Sequence, residues 1–200
     1  MSTVETPTLY TPEDLLTMPD GDRYELVDGK LVERIRGAWS SYVGFLLACG
    51  LKIYCNDHFL GWVWGADASY QCFPNRPRLV RKPDVSFIRL GRLPGEKAPE
   101  GHIPIAPDLA VEVISPNDLA YDIDERVADY LGAGTRLVWV INPVQRTVLI
   151  YRQDGSIAGV REGGDLDGED VIPGFRCPVY SLFITPAPPT GSGTSNGAGS

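Results

Sequence analysis

Apolar residues recur at two different spacings along this chain of 200 residues. Val43, Leu46, Leu47, Leu51 and Tyr54 return every three or four positions, which predicts a helix that Ser40 could cap. Leu119, Ile123, Val127, Tyr130 and Leu131 repeat the pattern and predict a second helix, with Asn117 or Asp118 as cap and Gly132 or Gly134 at its end. A shorter helix opens the chain: Thr11 can cap it, Pro12 suits its first position, and Glu13 and Asp14 suit its positive end. Pro19-Asp20-Gly21 then turns the chain. The remaining apolar runs read as strands. Arg23–Val27 and Leu31–Ile35 flank Asp28-Gly29-Lys30, a hairpin signal. Trp62–Cys72 reads as one or two extended pieces, and Asp84–Leu90 as a strand introduced by Pro83. Leu109–Ser115 ends at Ser115-Pro116. Arg136–Ile141 reads as a buried strand, and Thr147–Arg152 as its hairpin partner after the turn at Asn142-Pro143.

Strand 109–115, helix 118–131 and strand 136–141 make one βαβ unit, whose crossover makes the two strands parallel. Hairpins lie on both sides of it in sequence. The expected class is therefore α/β (α+β), a mixed β-sheet flanked by two or three helices. Residues 1–184 are expected to form a single domain. Thr185–Ser200 contains only small residues, Pro and one Asn, so it cannot bury enough surface to offset its ordering entropy and is expected to be a disordered tail over 185–200.

Composition adds little to that picture but narrows it. With 43% hydrophobic and 22% charged residues the chain is neither collagen-like nor wholly disordered. No run reaches the roughly 18 apolar residues of a membrane helix, so no bilayer span is expected. The N-terminus lacks the basic-then-apolar pattern of a secretory signal, and the expected location is cytoplasmic. Cys49, Cys55, Cys72 and Cys177 have none of the short spacings of a zinc knuckle or redox dithiol, so reduced thiols are expected. The net charge of −8 does not suit a general nucleic-acid binder. It is unevenly placed, however. Residues 76–97 carry seven basic side chains against two acidic ones, and residues 108–170 carry five basic against thirteen acidic. Any contact with a polyanion should use residues 76–97; the alternative is a solvated basic loop.

Three acids stand out. Glu112 lies in Leu109-Ala110-Val111-Glu112-Val113-Ile114, where alternation puts Ala110, Glu112 and Ile114 on one face and Leu109, Val111 and Val113 on the other. Both faces look buried, so an ionised Glu112 needs either a basic partner or a cation. Asp84 follows Lys82-Pro83 at a strand start, a position that ordinary turn chemistry also favours. Glu25 lies inside a hairpin strand, where a cross-strand basic partner is the plain alternative. Converging at one end of a sheet, the three would make a set of oxygen ligands suited to Mg²⁺ or Mn²⁺. A metal so held could activate water and neutralise charge on a phosphodiester.

Four segments carry a resemblance: YTPEDLLTMPDGDRYELVDGKLVE, KPDVSFI, PDLAVEVISPNDLAYDIDERVADYLGAGTRLVWVINPVQRTVLIYR and IPGFRCPVYSLF. In order, from Tyr10 to Phe183, the chain resembles the Uma-type (Uma-two) restriction endonucleases, a bacterial branch of the PD-(D/E)XK nuclease superfamily. The resemblance implies an αβββαβ nuclease core and a metal-dependent endonuclease acting on DNA. It assigns Glu25, Asp84 and Glu112 as Mg²⁺ (or Mn²⁺) ligands or positioners of the attacking water. It also implies pairing with a second copy, a homodimer, because two strands need two sites.

The sequence departs from that pattern in three places. Ile114 stands where the superfamily has a Lys two residues after the strand acid. The Lys on the following helix that is thought to substitute for it in this branch is matched here by Arg126, which keeps the positive charge but cannot act as a base. Lys82, beside Asp84, is a candidate replacement. Gly37–Ser41 holds no His where many relatives have one. Two functions follow: a metal-dependent DNA endonuclease with Glu25, Asp84, Glu112 and Arg126 as its catalytic set, or a nuclease-fold interaction module that cuts weakly or not at all. A serine- or thiol-based hydrolase has no Gly-x-Ser-x-Gly turn to rest on.

Overall fold

The structure, a computed structural model, describes residues 8–186. Of the tail expected over 185–200 only Thr185 and Pro186 fall among these; the rest lies outside the described residues. Helix α1 (Pro12–Thr17) starts on a capping box, with Thr11 and Asp14 exchanging side-chain and backbone hydrogen bonds. Strands β1 (Tyr24–Val27) and β2 (Lys30–Glu33) pair antiparallel around Asp28 and Gly29, whose φ angles of 50° and 85° are the left-handed values of a tight hairpin turn. Helix α2 (Ala38–Asp57) follows, then β3 (Gly61–Gly65), β4 (Val85–Arg89), β5 (Leu109–Val113), helix α3 (Ala120–Gly132), β6 (Leu137–Asn142), β7 (Thr147–Arg152) and β8 (Ile157–Arg161). Two short strands, β9 (Asp165–Asp167) and β10 (Arg176–Pro178), pair near the end of the described chain.

The main sheet has six strands in the order β3-β4-β5-β6-β7-β8. Only β5 and β6 are parallel, joined by α3 as the crossover; every other pairing is antiparallel. The mixed sheet and the βαβ unit are thus as the sequence pattern predicts. Alternation in β5 is also as predicted. Leu109, Val111 and Val113 bury into a core with α2 and the segment 166–183, while Ala110 faces a second core made with α3 and the segment 70–103. A satellite core of Leu15, Leu26 and Val80 seats the β1–β2 hairpin.

Several local readings are corrected. Ser40 does not cap α2: Gly37 is the cap residue, and the Ser40 hydroxyl donates to the Ile114 carbonyl at 2.9 Å, pinning the helix to the end of β5. Neither Asn117 nor Asp118 caps α3, which starts after Leu119; Asp118 instead accepts from the Ser115 N–H. Of the Trp62–Cys72 region only residues 62–65 are regular strand, in β3, which begins one residue earlier at Gly61. Gly61 is required there, because a Cβ would lie 2.2 Å from the Ile88 carbonyl oxygen. At 20 residues, α2 is long and apolar enough by those measures alone to cross a membrane, contrary to the expectation from apolar runs. In this fold its Val43, Leu47, Leu51 and Cys55 pack on the sheet. The four cysteines are free thiols, and burial pushes Cys55 up to about 11 and Cys72 up to about 12.

Candidate active site

The end of β5 brings the first two acids together. Asp84, just ahead of β4, donates its N–H to the Val111 carbonyl at 2.9 Å, and its Oδ2 accepts the Val113 N–H at 2.8 Å. Those two bonds, one from its backbone and one to its carboxylate, fix Asp84 beside Glu112, which points to the α3 face of the sheet as alternation requires. Two side chains one helical turn apart on α3 meet it. Arg126 Nη1 donates to Glu112 Oε2 at 2.9 Å, and the Tyr130 hydroxyl donates to Oε1 at 2.8 Å.

Glu25 takes a different place. The β1 backbone pairs with Val80 through Leu26, at 3.1 and 2.8 Å, which sets Glu25 against Arg81 and Lys82. Its Oε1 accepts the Lys82 N–H at 2.8 Å, its Oε2 lies 3.1 Å from Arg81, and it is fully buried. Arg126 and Arg34 link it to the other acids. Arg126 lies 3.5 Å from Glu25 and 2.9 Å from Glu112; Arg34 lies 3.9 Å from Glu25 and 3.6 Å from Asp84. Arg36 completes the set, 3.3 Å from Asp84. Arg34 and Arg36 both donate to the Ala66 carbonyl at 2.8 Å, so the two are anchored side by side.

The expected common cage of three acids is therefore not formed. Among the described residues no three His, Cys, Asp or Glu side chains come together as a metal-binding group. Arginines stand between the carboxylates and gather them into one buried, alternating charge network. A cavity of about 120 Å³ opens on it, lined by Arg34, Arg36, Asp84, Glu112, Asp118 and Arg126 among others; Glu25 does not reach it.

The protonation of the three acids follows this division. Burial raises the Glu112 carboxyl to about 7, with Arg126 pulling the other way and Asp84 adding repulsion. Burial likewise raises Asp84 to about 6, against the Val113 N–H and Arg34. Burial pushes Glu25 up too, but Arg126, Arg81 and Arg34 together hold it below the usual carboxylate range. Two carboxyls that hold their protons more tightly than usual thus face the cavity, and the one held ionised by its arginines lies behind them. A pair of carboxylates fits Mg²⁺, which commonly takes one or two protein carboxylates with water and substrate phosphate oxygens. The three-acid set does not fit.

The other candidates also separate. Lys82 Nζ donates to the Gly21 and Asp22 carbonyls at 3.1 and 2.9 Å and does not line the cavity, so it does not replace the missing Lys. The basic stretch 76–97 is mostly engaged internally. Arg76 pairs with Asp28, Glu125 and Asp129, Arg81 with Glu25 and Asp129, and Arg92 with Asp108. Its surplus charge is answered by Glu25, Asp28, Asp108 and the acids of α3, which is why counting along the chain overstated it. Sequence reasoning missed Arg34, Arg36 and Tyr130. The alternation Arg34-Ile35-Arg36 beyond β2, and Tyr130 four residues after Arg126, are the signals that would have found them.

The Uma2 family, described as "Putative restriction endonuclease", matches residues 12–180, and the chain belongs to that family. Among solved structures, a protein from Anabaena variabilis ATCC 29413, described as a putative nuclease belonging to DUF820, superimposes with a TM-score of 0.72. It is 19% identical, over 86% of this chain and 97% of that one, and it shares the fold. No curated protein matches the chain.

Proposed function

We propose that this chain is a divalent-cation-dependent endonuclease that hydrolyses phosphodiesters in DNA, with Asp84 and Glu112 as the two protein ligands of the cation. The observation that carries the reading is the pair itself: two carboxyls from adjacent strands line one cavity, and burial raises both toward neutrality while the third acid is fully ion-paired. Membership of a nuclease family supports it. A bound Mg²⁺ or Mn²⁺ would supply Lewis-acid activation of water and neutralise phosphate charge.

The chain's own residues do the rest. Arg126 spans Glu25 and Glu112, so its guanidinium is held at the cavity wall, where it can bind a phosphoryl oxygen as charge builds. It cannot abstract a proton, so the attacking water must lose its proton elsewhere. Arg36 is about a quarter exposed and can shift from Asp84 to a phosphate. Glu25 acts as a positioning residue, holding Arg126 and Arg34. Tyr130 holds Glu112 in one rotamer. DNA approaches over Arg34, Arg36 and Arg126 rather than over residues 76–97.

A second reading has its own observation. Arg126 on Glu112 and Arg36 on Asp84 already supply positive charge to both acids, as an interaction module without turnover would need. Supercoiled plasmid incubated with Mn²⁺, Mg²⁺ or EDTA separates the two. The nuclease reading expects nicking with either metal, none in EDTA, and none from Glu112→Gln. Equal nicking by Glu112→Gln, or none by the parent, overturns it.

A further inference from the structure

We infer that a second cavity beside the acid pair is a subsite for one unpaired nucleobase adjacent to the scissile phosphate; this rests on the nuclease reading above. The cavity holds about 170 Å³ and shares two wall residues, Arg36 and Asp84, with the acid pocket. One side is α2, where Ser40, Gly44 and Ala48 succeed one another at helical spacing with Ser41 and Phe45 alongside. The other side is Gly65 and Ala66, just where β3 ends. Away from Arg36 and Asp84 the lining is uncharged.

Most of this wall is apolar, with Arg36 and the Ser41 hydroxyl as donors at its edge, so it admits a flat, largely apolar ring with a polar rim. The Phe45 ring belongs to its wall and is 62% exposed, so its face is available for a base to stack on. Ser41 lies on the exposed side of the helix and offers a hydroxyl to a base edge. The shared Arg36–Asp84 wall puts this slot next to the proposed phosphate position. A base can enter it only when unstacked and unpaired. The substrate class that follows is single-stranded DNA, or duplex DNA with a displaced nucleotide at the cleavage point.

Gly65 supplies the test. Its φ is ordinary and a Cβ there meets nothing within 4 Å, so Gly65→Leu adds a bulky side chain at the slot's wall without strain. Phe45→Ala, at an exposed position, is the second variant. Binding of eight-nucleotide oligodeoxynucleotides is measured by fluorescence anisotropy in Ca²⁺, with an abasic residue moved through the strand one position at a time. The expected result is one position at which removing the base weakens binding about 5- to 150-fold. That penalty is lost in Gly65→Leu and reduced in Phe45→Ala, while both bind the strand abasic at that position as the parent does. An intact duplex binds more weakly than the single strand. Uniform binding whatever position is abasic, or an unchanged penalty in Gly65→Leu, overturns the subsite and leaves the nuclease reading standing. Failure of the parent to bind any oligonucleotide overturns both.

Discussion

Arg126, on the middle of α3, places its Nη1 2.9 Å from Oε2 of Glu112, fourteen residues earlier on the central strand β5. The same guanidinium lies 3.5 Å from Glu25, so one cation serves two buried acids. Removing it takes away the ion-pair partner of Glu112 and leaves Glu25 to Arg81 and Arg34. Arg126→Ala is expected to destabilise the protein by about 3–5 kcal/mol, as seen when one member of a buried pair is deleted. Urea titration checks this. A loss under 1 kcal/mol would mean that the acids are satisfied without it.

Lys82 is close to Asp84 in sequence but not in role. Its ammonium ties two carbonyls of the turn before β1, and burial lowers its affinity for a proton. Lys82→Met is expected to cost about 1–3 kcal/mol of stability through the orphaned carbonyls. Its kcat for nicking should match the parent's at a temperature where both are folded. A hundredfold fall in kcat with stability intact would return Lys82 to the chemistry.

The raised acids set a pH dependence whose sign is opposite to that of an ion-paired carboxylate. Unfolded, Asp84 ionises near 3.8; folded, it does so near 6. Between those values the unfolded chain gives up its proton first, so stability falls as pH rises, and the loss is complete above about pH 6. Asp84→Asn removes this penalty. It is expected to be more stable than the parent at pH 8, by up to about 3 kcal/mol, with the difference vanishing near pH 3. Thermal melts at the two pH values test this. Glu25, held low by its arginines, contributes in the other direction and only in the acid range below its ordinary value.

Tyr130 donates to the ionised form of Glu112. Losing that donor raises the carboxyl's affinity for its proton further. Tyr130→Phe should therefore shift the acid limb of the pH–rate profile, measured at subsaturating Mn²⁺, to higher pH than in the parent. The plateau rate should be less affected. A uniform drop at all pH values, with the limb unmoved, would assign Tyr130 to packing alone.

Much of this architecture was legible in the sequence. The alternation through Leu109–Ile114 announced both the buried strand and the face that carries Glu112, and the 3.6-residue stripe through Val127 and Tyr130 announced the helix above it. Asp28-Gly29 announced the hairpin. What could not be read was contact between distant segments. The Leu26–Val80 backbone pairing turns Glu25 toward Arg81 and away from the cavity, and nothing local to Tyr24-Glu25-Leu26 encodes it. The basic character of 76–97 was similarly real in sequence but cancelled in space by Asp28, Asp108, Glu125 and Asp129. Strands β8, β9 and β10 are only five, three and three residues long, so their periodicity is weak.

The division of labour among the three acids is tested most directly by calorimetric titration of Mn²⁺ at pH 8. Parent protein and Glu25→Gln are compared with Asp84→Asn and Glu112→Gln, each confirmed folded by its melt. The account expects binding to parent and Glu25→Gln within about threefold of each other, and binding weakened at least a hundredfold, about 2.8 kcal/mol, in the other two. Equal Mn²⁺ affinity in Glu112→Gln and parent, or loss of binding confined to Glu25→Gln, would contradict it.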